Sequence, residues 1–262
     1  HQLRVEIRAR ERVRRADFIG RDLVIVLGGD GTLTSISHNI DESTPVMGVN
    51  SHPKSDDPTG SVGFYMDSTL DTFSEDLERA LSGKAIVNNL PRLRAIIDST
   101  SGNRYTTDPA MNELLIANTH QYAPSKYHLR RGDMNTDQQS SGLIFSTWLG
   151  QGAWFSHSLD PTSLAEIRKV VESGEEDTHY FVLARDLDHQ MRVDKKWSWL
   201  DWTETTTQIL SDMHRGYVVP DGWDEVHFNR GASISVDLNA PKLRLFTFRQ
   251  SMKKRLIQSM TL

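Results

Sequence analysis

The chain has 262 residues, 37% hydrophobic and 25% charged, with 17 Gly and 9 Pro, which excludes disordered, collagen-like and disulfide-rich classes and leaves one large α/β unit or two modest domains. A formal net charge of -5 argues against a nucleic-acid surface, which rests on a basic excess, yet a few local donors can still hold an anionic small molecule. The absence of cysteine excludes disulfides, thiolate metal sites and cysteine nucleophiles.

In chain order, Val5, Ile7 and Val13 sit among Arg and Glu in a segment that reads as an exposed, charge-laced helix ending near Gly20. It lacks the apolar core and cleavage site of a secretory signal. Residues 23–27 (LVIVL) form a continuous apolar run, which predicts a parallel strand covered on both faces. No apolar stretch is longer than these five residues, far short of the roughly 20 residues of a membrane helix. The expectation is a soluble intracellular protein with neither a membrane nor a nucleic-acid partner. Three glycines in four residues then break the strand, residues 33–39 open a helix, and residues 45–49 form the next strand. A polar loop over 50–61 is long enough to be functional.

Ser68, with Asp71 three residues on, predicts a helix start; Leu70, Phe73, Leu77 and Leu81 give its apolar face and Gly83 its stop. From about Arg92 the period changes to strand-like segments at 93–97, 113–117, 143–147, 180–184 and 232–236, with few convincing helices between them. Residues 248–260 carry Phe248, Met252, Leu256 and Met260 at four-residue spacing, an amphipathic helix expected to pack on the first domain. The layout is therefore α/β plus all-β: residues 1–91 with 241–262 in one domain, and 92–240 in a β-rich second one.

Gly28-Gly29-Asp30-Gly31-Thr32 directly follows the first strand. Its glycines let backbone approach a phosphate, and the following helix N-terminus offers unpaired N–H groups. A carboxylate among such amides repels phosphate, so Asp30 needs another task, and activating a hydroxyl for attack on phosphorus is one. The alternative is a tight strand-to-helix turn with Asp30 as N-cap.

GGDGT after a buried strand resembles a superfamily of NAD kinases, diacylglycerol and sphingosine kinases and, more loosely, phosphofructokinases. Further segments are similar to NAD kinases in order: Gly48-Val49-Asn50 with Gly63-Phe64-Tyr65, Met111-Asn112-Glu113-Leu114, residues 141–147 through Gly150 and Ala153-Trp154, and Val219-Pro220-Asp221-Gly222. Ser-Ser-Gly before the Gly-rich strand, Trp154 after its loop and residues 228–232 resemble the mitochondrial type. The resemblance implies a Rossmann-like N-terminal domain, a β-sandwich-like C-terminal domain and a C-terminal helix returning to the first. It implies transfer of the γ-phosphate of ATP, arriving with Mg²⁺, to the 2′-hydroxyl of the adenosine ribose of NAD, in a homodimer or homotetramer of the cytoplasm or the mitochondrial matrix.

By the same resemblance Asp30 is the base, and Gly28, Gly29, Gly31 and Thr32 bind phosphate. Asn112 and Glu113 hold ribose and adenine, Phe64 lies against the nicotinamide nucleotide, and Ala153 and Trp154 line the adenine pocket; His157, where the family often has a small residue, and Asp221, which with Gly222 also reads as a turn former, complete the candidate NAD-binding set. No metal motif is formed by the ten histidines; Asp186-Leu187-Asp188-His189 reads as a solvated turn and Lys253-Lys254-Arg255 as part of a helix C-terminal half. The departure is Trp148-Leu149-Gly150-Gln151-Gly152, where the family places Pro-Thr-Gly-Ser-Thr; three hydroxyls are missing. That loss keeps open a NAD-binding protein with weak or lost kinase activity, and GGDGT keeps open a lipid kinase. The chain also starts without the strand that opens this fold, so either residues precede His1 or the sheet edge is built differently.

Overall fold

The structure is a computed structural model that describes residues 4–172, 174–187 and 200–259. The chain divides into two compact units, His1–Asn89 with Lys242–Arg255, and Leu90–Pro241 with Leu256–Leu262.

The first unit is a Rossmann-like sheet with helices. Its strands are β1 (Val24–Gly28), β2 (Pro45–Asn50), β3 (Ser68–Thr69), β4 (Ile86–Leu90) and β17 (Leu243–Thr247); its helices are α1 (Asp30–Ser37) and α2 (Phe73–Leu81), joined by the first turn of α4 (Met252–Ser259), whose residues from Leu256 on fall in the second unit. The sheet order is β1-β2-β17-β4, with β3 also beside β2, and β1, β3 and β17 all run parallel to β2. Every residue of β2 is buried, as a central strand between helices requires. Met47 and Val49 of β2 pack with Phe248, Phe73 and Phe246.

Four expectations need correction. Residues 4–20 form only short 3-10 turns at Arg10–Arg12 and Arg15–Asp17, with Val5 and Ile7 exposed. A charged run without an apolar face has no packing to offset helix nucleation. β1 is an edge strand: Val26 is buried, but Ile25 and Leu27 are exposed, so only one face is covered. Helix α1 starts at Asp30 rather than Leu33, which puts the motif carboxylate in its first turn. Helix α2 starts at Phe73 after Thr72, while Ser68 and Thr69 pair with Val49 and Asn50, leaving Leu70 exposed. In the tail, Met252 and Leu256 are buried along α4, and Phe248 is buried ahead of it; Met260 lies outside the described residues.

The second unit is a β-sandwich. One six-stranded sheet has the order β12-β11-β10-β7-β14-β15, from Leu200–Thr203, Tyr180–Ala184, Leu143–Ser146, Glu113–Asn118, Arg215–Pro220 and Val226–Asn229. The other has the order β6-β5-β16-β13-β8-β9, from Arg104–Thr106, Arg94–Asp98, Ser233–Asp237, Thr207–Ser211, Ser125–Arg131 and Met134–Ser140. All described pairings in both are antiparallel. Their inward residues, among them Ile97, Ile116, Leu129, Phe145, Ile209 and Ile234, form one continuous core. Helix α3 (Pro161–Val171) interrupts the strand series, between segments where few convincing helices were expected. Asp160 caps it, accepting the amides of Thr162 and Ser163 at 2.9 and 3.0 Å. Among the described residues no helix is long and apolar enough to cross a membrane. Asp188 and His189 lie outside the described residues.

Candidate active site

In the first unit, β1 delivers the chain into the glycine turn, and α1 begins at once on Asp30 with Gly29 as its N-cap. The Asp30 carboxylate does not project freely. Its Oδ1 accepts the Tyr65 amide at 2.8 Å, and its Oδ2 accepts the Phe64 amide at 3.0 Å and the Ser61 hydroxyl at 3.1 Å. A carboxylate has about four acceptor directions, so three are filled. The first-turn position sets the negative charge at the positive end of the helix dipole. Gly29 is required by closeness: a Cβ there would stand 2.7 Å from the Ser61 Cβ. Around Gly31, by contrast, a Cβ would meet nothing within 4 Å. Of the proposed phosphate-binding amides, Thr32 donates to the Gly29 carbonyl at 2.9 Å.

The turn that grips Asp30 is itself gripped from its carbonyl side. Arg255 of α4 donates from Nε to the Phe64 carbonyl at 3.0 Å and from its second terminal nitrogen to the Gly63 carbonyl at 2.7 Å, and it pairs with the buried Asp67 carboxylate. Gly63 takes φ +71°, and a Cβ there would meet the Asn50 side chain at 2.5 Å. Phe64 is half-buried and packs edge-on against Tyr65, with ring centroids 5.0 Å apart. Neither Ser61 nor Arg255 stood out in the sequence. Ser61 closes a polar loop of ordinary turn composition, and Arg255 sits in a basic run that was expected in a helix C-terminal half but lies in the first turn of α4.

In the second unit, Asp221 (φ +47°) organises the start of β7. Its Oδ2 accepts the Met111 amide at 2.7 Å, and its Oδ1 those of Asn112 and Glu113 at 2.8 and 3.0 Å. This fixes the backbone of Asn112 and Glu113 at the start of β7; Glu113, with Trp154, Tyr217, Val219, Asp221 and Glu225, lines a cavity of about 420 Å³, and Asn112 is not among its lining residues. Glu113 lines it with a buried Oε2 that has no hydrogen-bond partner among the described residues. Burial first, and then the Asp221 charge, push its carboxyl up to about 8. Trp154 is held by Arg185, whose guanidinium lies 5.0 Å from the ring centroid. Tyr217 and Glu225 are cavity residues that sequence reading did not nominate; Tyr217 lies on β14 and Glu225 immediately before β15, on either side of the Asp-Gly turn.

Ala153 and His157 do not line this cavity, and His157 is exposed. The divergent loop also faces elsewhere. Trp148, Leu149, Gly150 and Gln151 are buried in the protein; Gln151 donates to the Trp148 carbonyl at 2.8 Å, and Gly150 abuts the backbone of Asn112 so closely that a Cβ would overlap it. At two of the three positions without a hydroxyl, Leu149 and Gln151, the side chain is buried, whereas Gly152 is exposed.

Residues 4–85 match the family described as the ATP-NAD kinase N-terminal domain. Over 238 residues the chain is 23% identical to an NAD kinase of Thermoplasma volcanium, covering 91% of this chain and 78% of that one. It is 33% identical over 147 residues to an NAD kinase of Syntrophobacter fumaroxidans, which spans 54% of this chain and about half (48%) of that protein. The crystal structure of yeast NADH kinase complexed with NADH shares the fold, with a TM-score of 0.71 at 14% identity, covering 92% of this chain and 65% of that one.

Proposed function

We propose that this chain, which belongs to the NAD kinase family, transfers the γ-phosphate of ATP to the 2′-hydroxyl of the adenosine ribose of NAD and so makes NADP. In this reaction the hydroxyl O–H bond breaks and its proton passes to Asp30. The oxygen forms a bond to the γ-phosphorus, and the bond from that phosphorus to the leaving oxygen breaks to release ADP. Mg²⁺ enters with ATP, held mainly by the phosphates.

The observation that carries the reading is the Asp30 carboxylate, fixed at the head of α1 by three donors with one acceptor direction left. A base held in one orientation costs no reorganisation when the hydroxyl arrives, and positioning supplies much of the rate in phosphoryl transfer. Open space at Gly31 leaves the phosphate side of the helix terminus accessible. In the second unit the Glu113 cavity supports recognition of a nucleoside: a buried carboxyl that keeps its proton below about pH 8 can donate to one ribose hydroxyl and accept from another, and Trp154 and Tyr217 line the same cavity as aromatic partners for a base.

The position of the Trp148 to Gly152 stretch favours retained activity over a binding-only protein, because none of these residues lines the Glu113 cavity and Trp148 to Gln151 are buried. The test is NADP formation from NAD with Mg-ATP, other nucleoside triphosphates and polyphosphate side by side. ATP-dependent NADP is expected; binding of NAD without NADP from any donor contradicts the proposal.

A further inference from the structure

We infer that Ser61 is the positioning residue of the phosphoryl-transfer base: its hydroxyl saturates Oδ2 of Asp30 and thereby assigns Oδ1 as the oxygen that takes the proton. This rests on the kinase reading above.

The geometry singles out this hydroxyl. Ser61 Oγ donates to Asp30 Oδ2 at 3.1 Å, accepts the Asp30 amide at 3.1 Å and accepts the Gly63 amide at 3.2 Å. A serine hydroxyl has one proton and two lone pairs, so all three of its sites are in use and it has no freedom to rotate. It ties the backbone of Asp30 to the side chain of the same residue, which fixes the carboxylate torsion. Ser61 is in turn anchored through its carbonyl, which accepts from Asn50 Nδ2 at 3.1 Å, and its amide donates to the His52 carbonyl at 2.8 Å. The Cβ of Ser61 lies where only a glycine at 29 leaves room, so the second Gly of the motif and this serine are fitted to one another.

The two carboxylate oxygens are consequently unlike. Among the described residues Oδ2 receives the Ser61 hydroxyl and the Phe64 amide, whereas Oδ1 receives the Tyr65 amide alone. An oxygen with two donors has no lone pair directed at an incoming hydroxyl; an oxygen with one donor does. Without Ser61 the carboxylate gains a second acceptor direction and a freer torsion, and the fraction of time spent in the productive orientation falls.

The experiment is a double-mutant cycle of Ser61→Ala and Asp30→Asn in the full chain, read as NADP formation, with melting temperature and amide hydrogen exchange measured on each variant. Ser61→Ala is expected to lower kcat by about 10- to 100-fold with KM for NAD changed by less than about three-fold. On the Asp30→Asn background the same change is expected to slow turnover by less than about two-fold, since a residue acting only through Asp30 has nothing left to act on. Equal slowing on both backgrounds, or near-normal kcat in Ser61→Ala, overturns the inference. A wild-type chain that forms no NADP is a different failure, that of the kinase reading. The hold of Ser61 is then read from exchange at Gly63, Phe64 and Tyr65: faster exchange in Ser61→Ala supports it, and unchanged exchange overturns it.

Discussion

Arg255 donates to the carbonyl of Phe64 at 3.0 Å, while the amide of Phe64 donates to Asp30 at 3.0 Å on the other edge of the same turn. The C-terminal helix and the GGDGT motif therefore hold one peptide segment from opposite sides. Arg255→Ala removes three hydrogen-bonded contacts and leaves Asp67 with less compensation for its buried charge, so a loss of about 3 kcal/mol is expected from breaking such a pair. Arg255→Lys is expected to recover only part of this, since an ammonium cannot present the planar fork that reaches Gly63, Phe64 and Asp67 together. Urea unfolding of the three proteins checks the order wild type, Lys, Ala; equal midpoints contradict it.

Glu113 gives the protein a pH-dependent term with a definite sign. Its carboxyl titrates at about 8 in the folded chain against an ordinary 4.5, so between those values the folded state keeps a proton that the unfolded state releases. Its contribution to stability is complete below the unfolded value and is lost as pH rises through the folded one. Glu113→Gln is neutral throughout. It is expected to match wild type at about pH 4.5 and to become the more stable protein by about 1–3 kcal/mol toward pH 9, the scale of an unsatisfied buried group. Unfolding midpoints of both proteins across that range test this, and parallel profiles contradict it.

Gly150 illustrates a constraint of contact. A Cβ at this position would overlap the carbonyl group of Asn112, backbone that cannot move aside without disturbing the amides bound by Asp221. Gly150→Ala is expected to destabilise by about 3 kcal/mol through overpacking and to raise KM for NAD more than it lowers kcat. Gly152→Ala meets nothing within 4 Å and serves as the control. Similar melting temperatures for the two variants count against the proposed contact.

How much of this was legible in the sequence depends on what each residue faces. Residues 180–184 read directly as a strand, because five apolar residues in a row fill a position buried on both faces. The hairpin of β8 and β9 did not. In Ser125–Arg131 only Tyr127 and Leu129 supply apolar inward positions, and in Met134–Ser140 the inward Thr136, Gln138 and Ser140 are polar, so no hydrophobic period exists to be read. The apolar run of β1 misled in the opposite sense: composition cannot tell an edge strand from a central one, and here one face stays open.

In the sites, the motif residues were visible as residue types at fixed spacings, whereas their supports were not. Asp30 and Glu113 stand in recognisable words. Ser61, Arg255 and Asp67 lie 31, 225 and 37 positions from Asp30 by subtraction of residue numbers, and they become neighbours only through the turn that joins them. Asp221 was visible as a turn former, but its three amide partners lie 108 to 110 residues earlier.

The central claim is that the carboxylate of Asp30 takes the proton of the attacking hydroxyl. Its most direct test is the rate of NADP formation from NAD and Mg-ATP by wild type and Asp30→Asn, with NAD binding titrated on both. The account predicts a fall in turnover of about 10²- to 10⁴-fold with NAD affinity kept within about ten-fold; turnover of Asp30→Asn close to wild type would contradict it.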